Sequence, residues 1–126
     1  MQVRFTANFS ANLEQIAAWW DAQDFPRGVD LLLDELEQRT LPALEQHPRI
    51  GRLFMARRPT TVQAQDLWQA LQPRLQALAA GAEVREYVMD DYLVLYLLLP
   101  SALHLLAIRH HRQLAFDVHD FLDTAD

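Results

Sequence analysis

Between residues 83 and 110 the chain passes through three short apolar segments separated by strong turn signals, and this stretch constrains the fold more than any other. The segments are Val84-Arg85-Glu86-Tyr87-Val88, the run from Tyr92 to Leu99, and Ala102 to His110. Asp90-Asp91 and Pro100-Ser101 lie between them, and such residues reverse a chain rather than continue a helix. The spacing predicts strands at 83–89, 92–99 and 102–110, joined as an antiparallel meander. The middle run is apolar at every position from Leu93 to Leu99, as expected of a central strand covered on both faces, and its neighbours are more polar. The third segment ends in Ile108-Arg109-His110-His111-Arg112, a knot of cationic and imidazole groups that no hydrophobic core requires. Function is therefore sought there first.

The N-terminal half supplies the cover for such a sheet. Val3, Phe5, Ala7 and Phe9 alternate with polar residues, the period of a half-buried strand. Ser10 is a candidate cap for a helix in which Leu13, Ile16, Ala17 and Trp20 recur at helical spacing. Phe25-Pro26-Arg27-Gly28 breaks that helix before a second stripe of Val29, Leu32, Leu33 and Leu36. His47-Pro48-Arg49-Ile50-Gly51-Arg52 then leads into a strand at Leu53–Met55. Residues 59–82 read as an inserted helical segment, docked through Leu67, Leu71, Leu75 and Leu78 with Trp68 flanking, and with a kink or break at Pro73. The expected fold is thus a single α+β domain over 1–126. In it a small antiparallel sheet, made of the N-terminal strand and the three-strand meander, packs on two antiparallel helices with the inserted helix added.

A chain of 126 residues that is 51% hydrophobic has enough apolar material for one compact core. It contains no cysteine, which excludes disulfides, thiolate metal sites and cysteine nucleophiles. Nothing at the N-terminus resembles a secretion signal, and the longest apolar run is too short to cross a bilayer, so a cytoplasmic protein that does not engage membranes is expected. The net charge of −6 disfavours nucleic acid as a partner. The distribution is uneven, however: Arg49, Arg52, Arg57 and Arg58 stand together with no acid between them, while 119–126 is an acidic tail. All eleven basic residues are arginine, which suits bidentate contacts but follows equally from coding bias. With glycine only at 28, 51 and 81 there is no phosphate-binding loop, and there is no Gly-x-Ser-x-Gly elbow. No cofactor is expected. A metal site from His110, His111, Asp117 and His119 is discounted, because adjacent residues on a strand diverge and the spacing matches no common ligand pattern.

The order strand, helix, helix, Pro-x-x-Gly-Arg, an Arg-bearing strand, a Tyr-x-x-x-Tyr strand and a strand ending Ile-Arg-His-His-Arg resembles the RelE/ParE family of bacterial toxins, which belong to type II toxin-antitoxin modules. The likeness covers 1–58 and 83–118. It implies a stress-response toxin neutralised by a cognate antitoxin. RelE-like members cleave mRNA on the ribosome, whereas ParE-like members inhibit DNA gyrase without cutting RNA. In the ribonucleases, cations on the strand matching 83–89, and an arginine after the first tyrosine of the next, stabilise charge on the phosphate. The matching positions here are Val84, Glu86 and Leu93, which cannot do that work, so the resemblance implies the ParE-like branch.

The residues left to carry function are Arg49, Arg52, Arg57, Arg58, Arg85, Arg109 and Arg112 as partner contacts. Against that stands an ordinary ion pair on the sheet rim for Arg85. Tyr96 reads as core with its hydroxyl at an edge. If the protein is instead an endoribonuclease acting on ribosome-bound mRNA, Arg109, His110, His111 and Arg112 are its catalytic candidates, with one of the two histidines as general acid or base. Plain packing of one histidine and solvation of the other is the competing reading. A third possibility is an inactive antitoxin-binding or regulatory module.

Overall fold

The computed structural model describes residues 1–53 and 82–110. Residues 59–81 of the inserted segment, with Leu67, Trp68, Leu71, Leu75, Leu78 and Pro73, lie outside them, as do Met55, Arg57, Arg58, His111, Arg112, Asp117, His119 and the acidic tail.

Strand β1 spans only Gln2–Phe5, because Thr6 ends the alternation. Its Oγ1 accepts a hydrogen bond from the Phe9 amide at 3.2 Å and donates one to the Leu105 carbonyl at 2.7 Å. That cap starts helix α1 at Ala7, and the helix continues to Ala22. Ala7 and Phe9, which the alternation placed on a strand, therefore occupy its first turns, and Thr6 rather than Ser10 is the cap. Phe9, Asn12, Leu13, Ile16 and Trp20 then share one helical face.

The second helical rod is built from α2 (Arg27–Glu35), a π-helical turn (Leu36–Thr40) and α3 (Leu41–Gln46). Pro42 explains the interruption. It has no amide hydrogen, and its ring would meet the carbonyl four residues back, at Gln38. Widening the preceding turn, so that the Leu41 amide reaches the Leu36 carbonyl, relieves this without ending the rod. The buried stripe is Gly28, Leu32, Leu36, Thr40 and Leu44, every fourth residue. Leu33, expected on that stripe, is 43% exposed instead. At Gly28 a Cβ would lie 2.2 Å from Trp20 Cδ2, so glycine is what lets α1 and α2 approach there.

Strands β2 (Arg52–Leu53), β3 (Glu83–Val88), β4 (Tyr92–Leu98) and β5 (Ala102–His110) complete one five-stranded sheet in the order β1-β5-β4-β3-β2. The expected meander is present, closed by Met89 N to Tyr92 O at 2.8 Å and Leu99 N to Ala102 O at 2.9 Å. The sheet is mixed rather than wholly antiparallel: β1 runs parallel to β5, pairing Gln2 with Ala102 and Phe5 with Leu105. No hairpin joins these two strands, so connectivity does not impose the antiparallel sense.

Beyond Phe5 no strand among the described residues lies beside the edge of β5, and α1 takes over the pairing. Asn8 Nδ2 donates to Leu106 O at 2.9 Å, and the buried Asn12 Oδ1 accepts from Ile108 N at 3.0 Å. The β4–β5 register slips at the same level, between Leu95 and Tyr96. The core lies between helices and sheet, with Phe9, Leu32, Leu36 and Leu44 facing Tyr92, Val94, Tyr96, Leu98, Leu103, Leu105 and Ile108. Val84, Leu95, Leu97 and Ala107 are buried as well, and by alternation Val84, Leu95 and Leu97 point to the opposite face. The central strand is covered on both sides, as its unbroken apolar run predicted. Among the described residues no helix is long and apolar enough to cross a membrane.

Candidate functional site

The Tyr-x-x-x-Tyr strand and the Pro-x-x-Gly-Arg segment meet at one corner of the sheet. Tyr96 is fully buried, and its hydroxyl sits between two backbone groups of that segment. It accepts from Gly51 N at 2.9 Å and donates to Pro48 O at 2.8 Å. Burial pushes the Tyr96 phenol above its ordinary value of 10.0, against a smaller opposing effect of the Gly51 amide. Gly51 has no room for a side chain, since a Cβ would come within 2.6 Å of both the Glu86 carbonyl and the Tyr96 hydroxyl. This glycine is required by close approach.

Arg85 lies beside Tyr96 in the β3–β4 register and closes the corner from above. Its Nε donates to Glu83 at 2.7 Å, and its Nη1 donates to the carbonyls of Arg49 and Gly51. The rim ion pair set against a partner role for Arg85 is therefore what the structure contains, together with two loop carbonyls. Arg52 pairs with Glu86, its register neighbour on β3, and that carboxylate is only 6% exposed. Arg49 reaches Glu83 at 4.0 Å but keeps 72% of its side chain in solvent. Among the described members of the arginine cluster, then, Arg52 is paired with β3 and Arg49 presents the more exposed side chain. Arg57 and Arg58 are outside the described residues.

At the far end of β5 the cationic knot divides. His110 pairs with Tyr92 and its ring meets the tyrosine edge-on, with centroids 5.3 Å apart at 85°. Arg109 pairs with Leu93, on the opposite face by alternation, and its Nη1 donates to the Ile108 carbonyl at 3.1 Å. The two described members of the ribonuclease candidate set therefore point away from each other. Among the described residues no group of three His, Asp or Glu side chains is placed to hold a metal ion.

A second surface lies at the Tyr92 end of β4. Trp20 Nε1 donates to the Tyr92 hydroxyl at 3.0 Å, which ties the end of α1 to the start of β4. Beside this bond opens a groove of about 550 Å³ between the helical hairpin and the β3–β4 turn. Phe25 and Leu31 stand at its rim, 44% and 52% exposed, and its acidic groups are Asp34, Glu35, Asp90 and Asp91. In the sequence, Phe25-Pro26 and Asp90-Asp91 register only as chain breakers. Their common location depends on the α1–α2 crossing at Gly28, which no local pattern reveals.

The chain matches no family model, and no curated protein matches it either.

Proposed function

We propose that the protein is a bacterial type II toxin component of the RelE/ParE kind. On this reading it acts by protein contact on the ParE-like side, has DNA gyrase as its target, and is held inactive by a cognate antitoxin. The observation that carries this reading is the engagement of the β2–β3 cations. Arg52 is matched to a buried carboxylate and Arg85 to a carboxylate and two backbone carbonyls. A strand that steadied a scissile phosphate would need such groups turned toward the substrate, with their charge uncompensated. Instead this corner holds Pro48–Gly51 in a fixed shape, and the divergence of Arg109 and His110 argues in the same direction. The strand–helix–helix–strand order followed by the meander also agrees with the reading, as does the acidic net charge, which disfavours direct engagement of RNA.

Two reactions run in parallel test the proposal: supercoiling by DNA gyrase, and cleavage of mRNA on ribosomes, each with the purified chain added. The expected result is inhibited supercoiling and intact mRNA. Cleavage that disappears in His110→Ala or His111→Ala would overturn the proposal in favour of the ribonuclease. Inertness in both reactions would overturn it in favour of a regulatory module.

A further inference from the structure

The groove between the helical hairpin and the β3–β4 turn combines two properties that the fold itself does not need. Its lining is apolar and partly exposed: Trp20 and Tyr92 at the base, Phe25 and Leu31 at the rim. Its charged margin comprises four carboxylates, Asp34, Glu35, Asp90 and Asp91, and one cation, Arg39, a net of −3. Arg39 is already shared between Asp90 at 2.8 Å and Glu35 at 3.6 Å. Asp34 and Asp91 have no cationic partner among the described residues. Carboxylates gathered around a cleft repel one another and leave exposed aromatic and aliphatic surface uncovered, so both features favour an occupant that is apolar in its centre and cationic at its edges.

Charge excludes the main competitors. Nucleic acid and anionic lipid surfaces present phosphates, which this margin repels. A second copy of the chain brings another −6. The groove follows the helical rod from Gly28 to Gln38, roughly 16 Å at helical rise, which matches about three turns of a helix laid alongside it. We infer that this groove docks a cationic amphipathic helix of a partner protein. The helix seats its apolar stripe on Trp20, Phe25 and Leu31 and places lysine or arginine side chains against Asp34 and Asp91. The inference concerns the chemistry of the bound segment and holds for either branch of toxin activity.

The test is selection of a displayed library of random 16-residue peptides on the purified full chain, followed by fluorescence anisotropy with the enriched peptides. The expected peptides carry Leu, Ile or Phe at three- and four-residue spacing, flanked by Lys or Arg. Their affinity should fall at least tenfold in Asp34→Lys/Asp91→Lys, and again in Leu31→Asp. It should also weaken several-fold between low and high salt. Circular dichroism and thermal melting of these surface variants should match the parent. The inference is overturned by enrichment of acidic or uncharged peptides, by no enrichment, or by binding that ignores the groove variants. A dimer in sedimentation that Leu31→Asp dissociates would also overturn it, by assigning the groove to a second copy.

Discussion

The two ends of β4 are built in opposite ways. At the Tyr96 end the polar groups are matched internally: a buried hydroxyl bridges two backbone groups, Arg85 braces the loop, and Arg52 neutralises Glu86. At the Tyr92 end the chain leaves aromatic and aliphatic side chains in solvent inside a margin of excess negative charge. A cluster of arginines in sequence is thus no guide to a cationic surface, because the residues opposite them across the sheet decide how much charge remains. Glu83 and Glu86 do that here, more than 30 positions further along the chain.

The sharpest way to break this contrast is at Glu86. Glu86→Lys should remove the partner of Arg52 and bury a second cation beside it, lowering unfolding stability by about 3–5 kcal/mol in urea titration. A smaller loss would mean that the corner is more open to water than its burial implies. Tyr96→Phe should cost about 1–3 kcal/mol, since Gly51 N and Pro48 O lose their shared partner inside the fold. Leu31→Asp, on α2 in the groove beside the opposite end of β4, should change stability by no more than about 0.5 kcal/mol, as expected of an exposed position.

Titration sharpens the same comparison. The Tyr96 phenol is held above 10.0 in the folded state, so its contribution is complete below that pH and is lost as pH rises through it. Denaturant midpoints between pH 9 and 11 should fall in the parent and fall less in Tyr96→Phe. His104 behaves in the reverse sense. Burial, with Arg4 beside it in the β1–β5 register, holds its imidazole below 6.5, so its contribution is complete above that pH and lost as the pH drops. His104→Gln should flatten the acid limb.

One expected change is a gain. Thr40 in the π-helical turn is fully buried and its hydroxyl has no hydrogen-bond partner. Thr40→Val should therefore raise stability by about 1 kcal/mol, measured by the same titration. A loss would show that the hydroxyl is satisfied in solution.

Much of the fold was legible because it rests on local chemistry. Asp90-Asp91 and Pro100-Ser101 mark the meander turns, and the unbroken apolar run of β4 marks a strand covered on both faces. Local pattern misleads where a distant residue decides the outcome. Thr6 ends β1 by bonding to Leu105, and nothing in residues 2–9 announces that contact. Leu33 turns outward because Gly28 packs on Trp20 and fixes the rotation of α2. Asn12 reads as an ordinary helix residue until β5 is placed beside it with an unpaired Ile108 amide. The candidate site was legible in part. Arg85 and Tyr96 stand out in the sequence, but their joint grip on Pro48–Gly51 requires the β3–β4 register, and the acidic groove requires the helix crossing.

The closed character of the Tyr96 corner is tested most directly by amide hydrogen exchange at Gly51. If the loop is locked by the Tyr96 hydroxyl and Arg85, that amide should be protected to the level of the central β4 amides. In Tyr96→Phe it should lose roughly a hundredfold in protection, the equivalent of about 2.7 kcal/mol. Rapid exchange of the Gly51 amide in the parent protein, unaffected by Tyr96→Phe, would contradict the corner described above and return its arginines to the surface as candidates for binding.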